Sequence, residues 1–334
     1  MFKHVNALSR GGGMSGKVRV AFIGAGVHAT AVHYPSLASM GDVELVAVCD
    51  LRGDRLRSAM ARFGVRKGYR DYRRMLDEVG VDAVYVVTPP HQLYDIVVDV
   101  LERGLNVFVE KPPGVTVTQT ESLARLAERK GCITMVGFNR RFIPIMRVAK
   151  AFVEGEGVIN TCIAEFHKYY ADELPYYRGA VDVLTCDAIH AVDMLRWACG
   201  EWRRVLSVVK RFGRGYDNAF YALVEFGSGR VGVLAANWAS GGRVHKFEFH
   251  TLGASAYVNP DDRALLYRHG KLELTITTQQ AAGSSERVRY YGFYDENRHF
   301  IDCVREGREP ETSFRDAVKS MQLVDEILRL GRVK

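Results

Sequence analysis

The run Val18-Arg19-Val20-Ala21-Phe22-Ile23, followed at once by Gly24-Ala25-Gly26-Val27-His28-Ala29, leaves few folds open to this chain. A short apolar strand meets two glycines and a small residue at G-x-G-x-x-A spacing, and Thr30 to Met40 then reads as a helix. Gly24 permits a tight turn, Gly26 lets a pyrophosphate approach the backbone, and Ala29 allows close packing of helix on strand. Amide N–H groups at the helix start would hold the phosphates. A second strand, Val43 to Asp50, ends in a carboxylate roughly 20 residues on, where it would bind the adenosine ribose hydroxyls. Asp50 repels a 2′-phosphate and favours NAD, while Arg52 nearby leaves NADP open; the same Asp50 also suits a helix N-cap.

The alternation continues. Helical segments at Asp54 to Phe63 and up to Glu78 lead to the strand Val81 to Val87, which ends at Thr88-Pro89-Pro90-His91. The helix Leu93 to Arg103 carries the apolar stripe Ile96, Val97, Val100 and Leu101. Val107-Phe108-Val109 then delivers Glu110 and Lys111 to a strand mouth just before two prolines end it. A helix from Thr118 to Lys130 and a strand from Cys132 to Phe138 complete six strands separated by helices, a doubly wound parallel sheet. Ligands of such sheets lie beyond the carboxyl ends of the strands, so Lys111 is placed for chemistry. The cofactor is expected to meet Val27, His28, Leu51, Arg52, Thr88, Pro89, Pro90, His91, Glu110 and Lys111, with His91 starting a helix and not acting as a catalyst.

With 334 residues the chain is long enough for two domains. The boundaries expected are a leader at 1–16 marked by Gly11-Gly12-Gly13, a nucleotide-binding domain at 17–140, and an α+β domain at 141–334 for substrate and oligomer contacts. The second half holds alternating strands at Val158 to His167, Ala219 to Phe226, Arg230 to Trp238, Arg243 to Leu252 and Leu272 to Thr278, as a largely antiparallel, open-faced sheet should. Its uncovered face calls for a homodimer or homotetramer. Asp295 to Gly331 reads as helical, interrupted at Glu306 to Thr312, and is expected to pack on the first domain. The net charge of +7 is spread along the chain without a basic run, which argues against a nucleic-acid partner. No apolar run nears the ~20 residues of a membrane helix. Six scattered cysteines without CxxC spacing suit a reduced cytoplasm and give no zinc knuckle. No metal is expected, because His28, His33 and His91 lack a carboxylate or thiol at ligand spacing.

Read together, GAGVHA at 24–29, VELVAVCD at 43–50, TPPH at 88–91, VFVEKPPG at 107–114, GFNRRFIP at 137–144 and IHAVDMLRW at 189–197 resemble the glucose-fructose oxidoreductase, inositol dehydrogenase and MocA family. The resemblance implies an NAD(P)-dependent oxidoreductase acting on a hydroxyl or carbonyl carbon of a sugar, polyol or related cyclic compound. It further implies that Lys111 touches nicotinamide ribose and substrate, that the Lys111–Pro112 bond is often cis, and that His190 accepts the proton. Many relatives carry an Asp four residues before that histidine; here the position is Cys186, so Asp187 is expected to partner His190, with Asp182 and Asp193 as alternatives and Asp193 better suited to bracing the helix. Asn139 and Arg140 are expected to face cofactor and substrate. Tyr169 and its aromatic loop either line a sugar pocket or pack between domains, and Trp238 either stacks on a sugar or meets another subunit. Two rival functions stand beside the dehydrogenase: an NADPH-dependent reductase of an unsaturated or aryl compound, and a cofactor-binding regulator without turnover.

Overall fold

The computed structural model describes residues 16–170, 172–227 and 229–332; of the expected leader only Gly16 lies within them. The first sheet comprises β1 (Val18–Ile23), β2 (Val43–Cys49), β3 (Lys67–Tyr69), β4 (Ala83–Val86), β5 (Asn106–Glu110) and β6 (Thr134–Gly137). All five pairings are parallel, in the order β3-β2-β1-β4-β5-β6. Apolar runs such as Ala83–Val86 are buried throughout because helices cover both faces. The order reverses between β1 and β4, and that crevice is where a dinucleotide binds. The helix expected at Thr30 to Met40 is two pieces, a π-turn over Ala29–His33 and a short α-helix over Tyr34–Ala38. The wider turn ends on His33, whose side chain is buried.

The second sheet has β7 (Thr161–Tyr169), β8 (Trp202–Lys210), β9 (Ala219–Phe226), β10 (Val231–Asn237), β11 (Ala239–His250), β12 (Ala254–Val258), β13 (Arg263–Arg268) and β14 (Lys271–Thr277). Their order is β14-β13-β12-β11-β7-β10-β9-β8, and only β7 and β10 pair in parallel. Three of these strands escape the alternation pattern. β8 carries two arginines near its start, β12 is built largely of small residues, and β13 has an unbroken apolar centre. The helices Pro144–Glu154, Ile189–Cys199 and Phe314–Gly331 pack on one face. The other face exposes Leu206, Val208 and Leu223, with Leu206 opposite Leu223 across β8 and β9. Among the described residues no helix is long and apolar enough to cross a membrane.

The C-terminal segment ties the two sheets together. Thr312 and Val136 exchange backbone and hydroxyl bonds at 2.8 Å, and the helix Phe314–Gly331 lies against both the helix Val117–Lys130 and β8. Beneath it runs a buried charge network. Arg141 Nε and Nη2 donate to Asp193 at 2.7 and 2.5 Å, Arg141 Nη2 lies 2.8 Å from Asp316, and Arg196 donates to Asp316 and Ser320 at 3.0 and 2.7 Å. Ser320 in turn donates to Asp193 at 2.7 Å. Removing one member strands a charge that has already lost its water. Arg141→Ala should therefore cost about 3–5 kcal/mol of stability in urea unfolding; a loss below about 1 kcal/mol would show that the network does not hold these elements together.

Candidate active site

Every strand mouth of the first sheet opens on one edge, so Gly24, Asp50, Thr88, Lys111 and Asn139 share it. Gly24 has φ +109, and a β-carbon there would fall 2.2 Å from the Val87 carbonyl, so the turn admits only glycine. At Gly26 a β-carbon would meet nothing closer than the Arg55 guanidinium at 3.9 Å, which leaves an open approach beside a cation. Asp50 Oδ2 accepts from Ala25 N and Oδ1 from Arg52 N, both at 2.8 Å, so the carboxylate that faces the crevice also holds the glycine turn. Arg52 pairs with Asp54 at 2.7 Å. Val27 is 81% exposed and Leu51 75%, two apolar side chains bare on either side of the mouth, as a planar base requires. Among the described residues, the Thr88 hydroxyl is buried without a partner at the same edge. These residues fit a dinucleotide. Arg55 has no counterpart in the sequence reading, since an arginine in a helix carries no signal of its own.

Glu110 lies deeper. Its Oε1 accepts from His28 Nε2 at 3.0 Å and from His33 Nε2 at 2.8 Å, while His33 Nδ1 accepts from Asn297 at 3.1 Å. Burial would raise the Glu110 carboxyl, but the two imidazoles hold it well below the usual range. The ligand-type atoms of His28, His33 and Glu110 all lie within 4.8 Å of one another. No sequence spacing shows this, because Glu110 reaches His33 across 77 residues.

Lys111 follows Glu110, joins Pro112 through a cis bond, and lines a cavity of about 450 Å³ together with Asn139, Arg140, Lys168, Asp187 and His190. An ammonium from the first sheet and an imidazole from the second half thus face one space. Lys111 Nζ donates to the Cys186 carbonyl at 2.9 Å and stands 3.8 Å from Asp187 Oδ1. Asp187 Oδ2 accepts from Lys168 Nζ and, at 2.6 Å, from Tyr176 OH, which accepts from Trp238 Nε1 at 3.0 Å. Burial would raise the Asp187 carboxyl, but Lys111, Lys168 and the Tyr176 bond bring it down to about 2. Lys168 is lowered by burial and by its cationic neighbours, against the pull of Asp187. His190 is only 4% exposed, and burial together with Arg140, Lys111, His245 and Lys168 holds it well below its ordinary value. The ring is therefore neutral at pH 7, the form that can accept a proton.

The structure corrects several expectations. Asp187 makes no hydrogen bond to His190; a π-turn over Leu184–Ala188 sets it in the cavity, where it binds the two lysines. Asp182 accepts from Thr185 N and Oγ1, and Asp193 is held by Arg141, so neither partners His190, whose Nδ1 is buried without a hydrogen bond among the described residues. Trp238 is 1% exposed, with Phe166 against it at 5.0 Å and Lys168 over the ring, and has no free face for a sugar or another subunit. Tyr169 is exposed and lies outside the cavity lining. His91 sits on the first turn of the helix Pro90–Glu102, its ring 5.7 Å from that of Tyr177.

Lys168, Arg243 and the aromatic run Tyr290-Tyr291-Gly292-Phe293 face the cavity without having been singled out in the sequence. The signal available was Gly292 among aromatics: its φ is +78, and a β-carbon would fall 2.6 Å from the backbone of Phe142 and Ile143. That close approach lays Tyr291 beside Asn139 and Arg140, with Asn139 Nδ2 donating to the Tyr291 carbonyl at 2.9 Å.

Residues 18–138 match the model of the oxidoreductase family with an NAD-binding Rossmann fold, and residues 163–256 match the GFO/IDH/MocA C-terminal domain. The chain is 26% identical over 333 residues to scyllo-inositol 2-dehydrogenase (NAD(+)) of Bacillus subtilis, covering 93% of each protein. It is 26% identical over 311 residues to D-apiose dehydrogenase of Paraburkholderia graminis, covering 88% of this chain and 82% of the relative. A dehydrogenase from Chromobacterium violaceum superposes with a TM-score of 0.84 at 23% identity, over 94% of this chain and 95% of that one.

The Asp187 cluster makes a pH-dependent contribution with a defined sign. A carboxyl whose folded pKa is depressed adds stability above its unfolded value near 4, and that stability is lost as pH falls toward the folded value of about 2. Asp187→Asn, which leaves Lys168 buried without its countercharge, should cost about 3 kcal/mol at pH 7. In unfolding titrations the difference from wild type should shrink between pH 4 and pH 2. A cost that is flat across this window would show that the carboxylate charge is not what the site uses.

Proposed function

The chain belongs to the GFO/IDH/MocA family of oxidoreductases, and on that premise we propose that it oxidises a secondary hydroxyl of a sugar, polyol or related cyclic compound with NAD. The observation that carries this reading is the shared cavity of Lys111 and His190. The relatives named as dehydrogenases of scyllo-inositol and D-apiose support the substrate class.

The chemistry follows from the charges in the cleft. A nicotinamide held at this strand edge would supply the acceptor for the hydride that leaves the carbinol carbon. The hydroxyl proton leaves at the same stage, and neutral His190 receives it. As the C–O bond gains double-bond character, Lys111 stabilises the negative charge on oxygen. The Cys186 carbonyl holds the Lys111 ammonium, and Asp187 holds Lys168 while standing 3.8 Å from Lys111 Nζ. Asp187 is thus a positioning residue for the lysines. NAD over NADP follows from Asp50, and from Arg52 being committed to Asp54. The cluster of His28, His33 and Glu110 reads as a hydrogen-bonded support under the cofactor and not as a metal site, since both imidazoles converge on a single carboxylate oxygen. The exposed apolar face carrying Leu206, Val208 and Leu223 suits a second copy of this chain, and cysteines that form no disulfide among the described residues suit a cytoplasmic protein.

Lys111→Ala and His190→Ala should each lower NADH formation across a panel of sugars and polyols about 100- to 10,000-fold, while wild type prefers NAD to NADP and keeps its activity after EDTA treatment. Tight NAD binding with no turnover of any compound would favour a regulator, and loss of activity on chelation would restore the metal reading. Light scattering should give a multiple of 37.5 kDa, and a monomer mass would contradict the self-association.

A further inference from the structure

The cleft holds more positive charge than the reaction requires. Lys111, Lys168, Arg140, Arg243 and Arg287 line it, against Glu110, Asp187 and Asp261. Glu110 is taken by two histidines, Asp187 by two lysines, and Asp261 pairs with Arg243 at the rim, where both are half exposed. One more carboxyl, the fully buried Glu296, feels the Arg140 charge, but among the described residues it forms no ion pair with it, and burial and Glu110 push Glu296 well above the usual carboxylate range. Arg140 is 7% exposed, and among the described residues it has no carboxylate partner: Nη1 donates to Asn139 Oδ1 at 3.2 Å, and Nε is buried without a hydrogen bond. A buried guanidinium without a countercharge is costly, and its planar fork matches a carboxylate.

Its surroundings fix the fork. The guanidinium carbon lies 4.6 Å from the Tyr291 ring centroid, and Arg243 Nη2 donates to the Tyr291 hydroxyl at 2.9 Å, so one ring sets both arginines at the same wall. The dinucleotide phosphates do not explain them. Gly26 follows β1 and Arg140 follows β6, three strands along the sheet edge, a separation of about 14 Å. Building on the dehydrogenase reading above, we propose that the substrate is a sugar acid or polyhydroxy acid whose carboxylate binds Arg140 and Arg243 while its reacting hydroxyl meets Lys111 and His190.

The choice of anion also suits the base. After burial itself, Arg140 is the group that depresses His190 most. A carboxylate on Arg140 offsets that charge, so binding the acid makes the imidazole a better proton acceptor, whereas a neutral sugar leaves it weak.

The test uses the intact protein with saturating NAD and matched compounds: D-glucuronate and D-galacturonate with their parent sugars, D-gluconate with D-glucitol, and glucose 6-phosphate. NADH formation is followed, and affinity is measured by calorimetry whether or not a compound reacts. The acids should exceed their neutral partners about 100-fold in kcat/KM or affinity. Arg140→Gln should remove that advantage by raising KM or Kd for the acids, with NAD affinity and melting temperature recorded to show an intact fold. Arg243→Gln, at a half-exposed position, should reduce the advantage in the same direction. Neutral partners used as well as the acids, a preference for the phosphate ester, or no binding of any acid at millimolar concentration would each overturn the proposal, and turnover of a neutral compound would still leave the dehydrogenase reading standing. Acids that bind through Arg140 without any NADH from either class would do the reverse.

Discussion

The buried pairing of Arg141 with Asp193 and Asp316 is the contact on which the geometry of the cleft depends. Arg141 sits next to Arg140 at the mouth of β6, and Asp193 lies one turn after His190 on its helix. A bidentate guanidinium–carboxylate pair has little freedom of angle, so fixing Arg141 on Asp193 fixes Arg140 and His190 relative to each other. Asp316 brings in the C-terminal helix, and Arg196 closes the set from the far side. The chain thereby uses residues that never touch a ligand to set the distance between two that face it.

Above that anchor the cleft is an electrostatic compromise. Burial alone would push every carboxyl up and every amine and imidazole down. Asp187 escapes because two lysines and a tyrosine hydroxyl converge on it, and Glu110 escapes because two imidazoles do. His190 has no such relief: burial and its cationic neighbours keep it neutral and make it a weaker base. His245 is in the same position, with both ring nitrogens buried and unbonded among the described residues and its ring stacked 4.4 Å from Phe166. Surplus positive charge in an enclosed polar space is what an anionic ligand completes.

Much of this was readable in order along the chain. The glycine turn, Asp50, the strand mouth at Lys111 and the helix carrying His190 are local patterns, each fixed by residues within a few positions. What was misread shares one property. Residues three apart on a regular helix share a face, which pairs Asp187 with His190, but the turn before the helix is π, and the carboxylate faces the lysines. Trp238 looked available at a strand end, and only its contacts with Phe166, Lys168 and Tyr176 show it enclosed. β8, β12 and β13 lacked alternation because strand formation there rests on neighbours in the sheet more than on their own residues.

The sequence by itself determined the six-stranded nucleotide fold, the edge at which ligands bind and the presence of Lys111 and His190, because hydrophobic period, glycine conformation and proline stops act over a few residues. Tertiary structure alone decided which groups meet: Glu110 with His33, Lys168 with Asp187, Arg140 with the Tyr291 ring. Coulomb energy depends on distance through space and on the water excluded between groups, and neither quantity is a function of separation along the chain.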